Sequence, residues 1–159
     1  MANPMYGQNK YDAIADNQTQ VAISKDFDLT SSAATYPVIK IPAGTYVLGI
    51  QILVTSAITA GSMDIDIGDG DDADRYADAW AAATGALALG SIIDCPCGGV
   101  DGRGVTSGRY YAAADTIDID INTVASAGKV RLLVHCTRLE GVAPADLADL
   151  GVESVVGSA

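Results

Sequence analysis

Two short stretches of this chain alternate apolar residues with aspartate: Met63-Asp64-Ile65-Asp66-Ile67 and Ile117-Asp118-Ile119-Asp120-Ile121. In an extended strand successive side chains point to opposite faces, so each isoleucine row faces one way and each carboxylate row the other. Such a strand has one buried and one wetted face, the condition that antiparallel sheets satisfy. This pattern commits the chain to β-structure.

The remaining punctuation agrees. Val21, Ile23, Phe27 and Leu29 are spaced for a strand with an irregularity near Lys25. Residues 36–41 form a short strand whose Pro37 belongs at a sheet edge or a strand start. Pro42-Ala43-Gly44 is a turn, and residues 45–55 give the strongest strand. Tyr46, Leu48, Ile50, Ile52 and Val54 share one face of it and Thr45, Val47, Gly49, Gln51 and Leu53 the other, so burial on both sides is expected. Ala60-Gly61 turns into the first Ile/Asp strand, and residues 68–74 (GDGDDAD) make a tight acidic loop. Residues 75–83 (RYADAWAAA) read as a short helix or as an irregular strand and loop. Leu87, Leu89, Ile92 and Ile93 suggest a further strand, and residues 95–108 a long loop. Ala125-Ser126-Ala127-Gly128 reads as a hairpin loop after which residues 129–138 pair back, with Val130, Leu132, Val134 and Cys136 on the core face. About eight short strands with turns at roughly ten-residue spacing predict an all-β fold, an antiparallel β-sandwich or jelly roll. Its expected extent is residues 20–139, with an N-terminal arm over 1–19 and a C-terminal arm over 140–159 that docks on a neighbour.

Charge narrows the partners. The chain has 159 residues and a formal net charge of −11, and eighteen of its 20 acids are Asp. Nucleic acid is excluded as a partner, because a polyanion is bound by displacing its counterions with Lys and Arg. A surface this acidic keeps a particle soluble and self-repelling. The N-terminus lacks the basic-then-apolar layout of a signal peptide, and the most apolar stretch, 47–58, is too short to span a bilayer. A chain made in a cytoplasm, with no membrane partner, is expected. Cys95, Cys97 and Cys136 are odd in number and two of them too close for an unstrained bridge, so reduced thiols are expected.

Candidate chemistry is sparse. Asp64, Asp66, Asp69, Asp71, Asp72, Asp74 and Asp78 are the densest cluster, and calcium takes six to eight hard oxygens. Counted from Asp64, the EF-hand register fails at Gly68 and no Glu closes the loop; the GDGDD run occurs once and not in tandem. A solvated turn is the plain reading, with Asp69, Asp71, Asp72 and Asp74 the metal-ligand candidates for a cation, bound by one subunit or shared between subunits. Cys95, Cys97, His135 and Cys136 are zinc-type ligands at spacings that do not suit a knuckle. With one histidine and no nucleophile elbow, no catalytic residue and no cofactor are assigned. Tyr110 and Tyr111 are candidates for a sugar-stacking pair or for a packed pair under the long loop.

The run Ile41-Pro42-Ala43-Gly44-Thr45, the loop Ile65-Asp66-Ile67-Gly68-Asp69-Gly70-Asp71-Asp72-Ala73-Asp74-Arg75-Tyr76, the strand Ala114-Asp115-Thr116-Ile117-Asp118-Ile119 and the turn Gly128-Lys129-Val130 recur together in a familiar pattern. Over residues 20–138 the chain resembles small virion structural proteins of tailed bacteriophages, including cyanophages and other marine phages, of the capsid decoration or cement type. The resemblance implies a β-sandwich, a place in the virion, the major capsid protein as partner, self-association as a homotrimer, and no catalytic residues. The net charge favours the outer capsid surface over the DNA-filled lumen. A tail, adaptor or head-fibre component is the alternative, and a calcium- or sugar-dependent adhesion module a second.

Overall fold

The computed structural model describes residues 19–59, 63–80, 86–95, 97–98 and 108–139. Each Ile/Asp stretch is a strand: β5 (Asp64–Asp69) and β10 (Asp115–Thr123) lie side by side, antiparallel, with Ile119 opposite Ile67 and Asp120 opposite Asp66. Ile65, Ile67, Ile117, Ile119 and Ile121 are all buried, while Asp64, Asp66, Asp118 and Asp120 are half-buried on the outer face. The two rows together turn one face of their sheet into core.

Around this pair the sheet runs β3-β10-β5-β6-β8, with β3 (Thr35–Ile41), β6 (Asp72–Trp80) and β8 (Cys97–Gly98). Pro37 sits on the edge strand β3, where its missing N–H costs no ladder bond. The second sheet runs β1-β11-β4-β7, with β1 (Gln20–Ile23), β11 (Lys129–Arg138), β4 (Thr45–Ser56) and β7 (Ile92–Asp94). Here β2 (Phe27–Asp28) also pairs with β11, and β9 (Arg109–Tyr111) with β4. All ladders are antiparallel except β6–β8. Early and late strands alternate within each sheet, the winding of a jelly roll, and Ile50, Ile52, Val54, Leu132 and Val134 meet the isoleucines of the first sheet across one core. No helix occurs among the described residues. Both expected arms, apart from Thr19, lie outside the described residues.

Two expectations change. Residues 129–138 do form a strand with Val130, Leu132, Val134 and Cys136 inward, but it does not pair back on residues 116–122. β10 and β11 belong to opposite sheets, so the connection is an arch over the core. Turn residues announce a reversal without saying whether the strands then pair or face one another, and β11 finds its long partner in β4 instead. Gly128 holds this arch at φ 136°, with Ile58 where a Cβ would go.

Strand β4 is not uniformly buried on both sides. Its ladder with β11 shifts register where Val47 opposes Cys136 and Gly49 opposes His135, leaving Leu48 as an extra residue. The bulge flips the alternation: Thr45 and Val47 face the core before it, Ile50, Ile52 and Val54 after it, and Leu48 is left 47% exposed. The irregularity expected near Lys25 is present: Val21 and Ile23 point outward while Phe27 and Leu29 point in. The phase changes just after Ser24, which is buried and bonds Leu132 twice, N–H to carbonyl at 3.0 Å and Oγ from the Leu132 N–H at 2.9 Å.

Residues 75–83 resolve in favour of irregular strand as far as Trp80; 81–85 lie outside the described residues, as do 60–62 and 99–107. The irregularity is a second bulge, with Ala79 at φ 48° donating its N–H to Asp66 Oδ1 at 2.7 Å.

Candidate functional site

The acidic loop is shorter than its composition suggests. β5 runs to Asp69 and β6 begins at Asp72, so Gly70-Asp71 alone makes the turn. The Asp69 side chain is fully buried. Its Oδ1 accepts the backbone N–H groups of Asp71 at 3.1 Å and Asp72 at 3.0 Å, closing the turn from within. Its Oδ2 accepts Arg75 Nε at 2.7 Å and Tyr111 Oη at 2.8 Å, and Arg109 Nε lies 3.2 Å away. For Asp69 the solvated-turn reading therefore fails: its neighbours supply two cations, Arg109 buried and Arg75 half-buried, and a carboxylate so held no longer needs water.

Gly68 makes room for this. A Cβ there would collide with the backbone of Asp72 and Ala73, because β6 folds tightly over β5 at that point. Arg109 comes from the other sheet on β9, bonds Asp71 Oδ2 through Nη2 at 2.6 Å, and lies 5.0 Å from the centre of the Tyr111 ring. Arg75 lies 3.6 Å from Asp72 as well. Burial acts to lower the Arg75 pKa, but the charge and hydrogen bond of Asp69 outweigh it and raise the net value.

Behind the carboxylate stand two tyrosines. Tyr111 spends its only proton on Asp69, so at the 2.7 Å contact between hydroxyls Tyr76 donates to Tyr111. Burial pushes the Tyr76 hydroxyl up to about 12, and burial, with Tyr76 and Asp69 beside it, raises Tyr111 well above the usual phenol range. Both are protonated donors at any physiological pH. Tyr110 and Tyr111 are 8% and 3% exposed, so neither ring is available to stack on a sugar, and Tyr111 joins the core.

Of the sequence candidates, Asp69 and Asp71 come together, and the third carboxylate beside them is Asp115: the three offer oxygens within 4.8 Å of one another. Asp115 Oδ1 accepts the N–H groups of Gly70 at 3.2 Å and Thr116 at 2.8 Å. Asp72 and Asp74 lie outside this group of three, and the neighbouring Asp74 carboxyl, together with burial, raises the Asp72 pKa. A cation entering at Asp69 and Asp71 meets two guanidinium groups already bonded to those carboxylates, which disfavours it by like-charge repulsion. Sequence reading missed Asp115, Arg75 and Arg109. The pairing of β10 with β5, which sets Ile117 opposite Asp69, is what delivers Asp115, and no local motif encodes it.

The zinc-type residues do not gather. Cys95 is half-buried and Cys136 buried, and the Cys97 side chain lies outside the described residues. Burial raises the Cys136 thiol pKa. His135 Nε2 lies 3.0 Å from Gln51 Oε1, and Gln51 in turn donates to Asp94 at 2.6 Å. Together these form a polar row on the outer face of the second sheet.

No family model matches the chain, and no curated protein matches it. Solved structures do. A chain of the cyanophage Pam1 capsid asymmetric unit is similar at TM-score 0.56 and 20% identity, over 87% of this chain and 92% of that one. A chain of the capsid of Ralstonia phage GP4 gives TM-score 0.51 at 11% identity, over 79% and 86%. The acid-stable capsid of Helicobacter pylori bacteriophage KHP30 contains one with TM-score 0.50 at 11% identity, over 76% and 89%. At such identities the likeness is one of fold, and it extends over most of both chains in each pair.

Proposed function

We propose that this chain is a structural protein of a phage virion, a decoration or cement protein that binds the outer surface of the head and stabilises the shell. The observation that carries the reading is the fold shared with chains of three phage capsid structures, at 86% or more of each of those chains. The sequence adds its own support through the strand and turn motifs over residues 20–138. Charge orients the protein: at −11 it is repelled by packaged DNA, so the outside of the shell suits it better than the lumen.

The site described above fits a structural role. Its charged groups are spent on one another and on closing a turn, which fastens the two sheets at one end. The partners are the major capsid protein and further copies of this chain, assembled as a homotrimer in the host cytoplasm before or during attachment. Segments outside the sandwich, 1–19 and 140–159, serve as arms whose contacts multiply across neighbouring capsomers. The protein does no chemistry in this role and takes no cofactor.

Purified protein mixed with expanded and unexpanded heads tests the reading. Saturable binding to expanded heads, in many copies per particle, is the expected result. Placement at a single vertex or on the tail would favour a tail, adaptor or head-fibre component instead. Calcium uptake in a calorimetric titration, with no binding to heads, would favour an adhesion module.

A further inference from the structure

The two sheets present opposite outer faces. That of β3, β10 and β5 carries Asp64, Asp66, Asp118 and Asp120, all half-buried, with Asp66 directly across from Asp120. Among the described residues, the outward positions of β1, β11, β4 and β7 carry one carboxylate, Asp94, which Gln51 already holds. Beside the His135–Gln51 row and the cations Lys129 and Arg131, which pair with Asp28 of β2 and with Asp26, they carry a set of apolar side chains. Ile23 and Val21 are 59% and 47% exposed on β1, Ile92 is 58% exposed on β7, and Leu133 and Leu53 are half-buried between them.

The registers show that these residues form one stripe. Ile23 pairs with Leu133 across β1 and β11. Leu133 lies diagonally beside Leu53, whose direct partner is Arg131, and Leu53 pairs with Ile92 across β4 and β7. The stripe thus crosses the sheet from one edge strand to the other. Contiguous apolar surface of this kind on an otherwise acidic protein marks a contact surface.

We propose that this stripe is the contact between copies of the chain, one copy's Ile23 end against the next copy's Ile92 end. The inference rests on the self-association proposed above and assigns it a surface. Charge selects the occupant. Two copies, each at −11, repel wherever their acidic faces meet, and the striped face is where that repulsion is least. Because the stripe reaches both edges, the Ile23 end of one copy can meet the Ile92 end of the next head-to-tail, a contact that closes into a ring where the rotation between copies allows it.

Sedimentation of the full chain tests this, with Ile23→Lys and Ile92→Lys as variants. Each substitution adds a positive charge, so it lowers overall repulsion while breaking the stripe. Wild type is expected to sediment as an oligomer. Both variants are expected at the mass of one chain, with the circular dichroism of wild type. Lys40→Glu, on the edge strand of the acidic sheet, is expected to remain oligomeric. A wild type that sediments as single chains while still decorating expanded heads overturns the inference and leaves the capsid reading standing. So does loss of head binding by Ile23→Lys when wild type is itself monomeric, which would assign the face to the capsid protein. Oligomeric lysine variants overturn it as well. An oligomer that the variants dissolve but that never binds heads upholds the contact and removes the capsid reading.

Discussion

Tyr111 Oη donates to Asp69 Oδ2 at 2.8 Å, joining a strand of one sheet to the last residue of a strand in the other. The carboxylate is fully buried and lies on both arginines, so this bond sits in the middle of a charged cluster that the core closes over. Tyr111→Phe removes the donor and strands the Tyr76 hydroxyl without an acceptor. A loss of about 1–3 kcal/mol is expected in urea unfolding, the cost of an unsatisfied buried polar group. Tyr76→Phe leaves the Tyr111 donation intact, so about 0.5–1.5 kcal/mol is expected. Equal costs for the two would contradict the assigned direction of donation.

Asp69→Asn tests the charge balance. The neutral side chain leaves buried Arg109 and half-buried Arg75 without their shared counter-ion, and breaking a buried pair costs about 3–5 kcal/mol. Asp71→Asn touches a carboxylate 53% exposed and is expected to cost about 1 kcal/mol or less. Denaturant midpoints of the two variants give the comparison directly.

High pH loosens the same cluster. Tyr76 ionises near 10.0 in the unfolded chain and at about 12 in the fold, so the unfolded state releases its proton first. Stability contributed by the neutral phenol is complete below pH 10 and is lost as pH rises toward 12, by roughly 2–3 kcal/mol for this group. Tyr111 shifts in the same direction and adds to the loss. Thermal midpoints measured from pH 8 upward are expected to hold level and then fall. In Tyr76→Phe the fall is expected to be shallower.

Two backbone positions make opposite predictions. Ala79 occupies the left-handed region, which disfavours any residue with a Cβ, by about 1–2 kcal/mol. Ala79→Gly relieves that strain at a smaller cost in unfolded-chain entropy, so a gain of up to about 1 kcal/mol is expected in the unfolding free energy. Gly68→Ala forces a Cβ into the backbone of Asp72 and Ala73, and the expected result is a loss of several kcal/mol, of the order seen for severe overpacking.

The sequence exposed the sheets more readily than the site. Alternation of isoleucine with aspartate placed Ile65, Ile67, Ile117, Ile119 and Ile121 in the core because the period is local and each strand keeps it without interruption. It held at Lys25, where the expected irregularity separates outward Val21 and Ile23 from inward Phe27 and Leu29. It failed at Leu48, where a bulge shifts the phase by one residue. Apolar side chains on both sides of the shift hide the change. The arch between β10 and β11 was read as a hairpin because turn chemistry is local and sheet membership is not. Asp69 shows the same limit for charge. A carboxylate in a Gly/Asp run looks solvated until Arg109, from a distant segment, is brought against it by the β4–β9 pairing. Tyr110 and Tyr111 were open between surface and core for the same reason.

Attachment to heads bears most directly on the central proposal. Expanded phage heads stripped of this protein and incubated with the purified chain are to be imaged by electron cryomicroscopy. The expected result is density for the sandwich at many equivalent positions on the outer surface of the shell, and none on unexpanded heads. Shells that stay bare after incubation, or density at one vertex or on the tail alone, would contradict it.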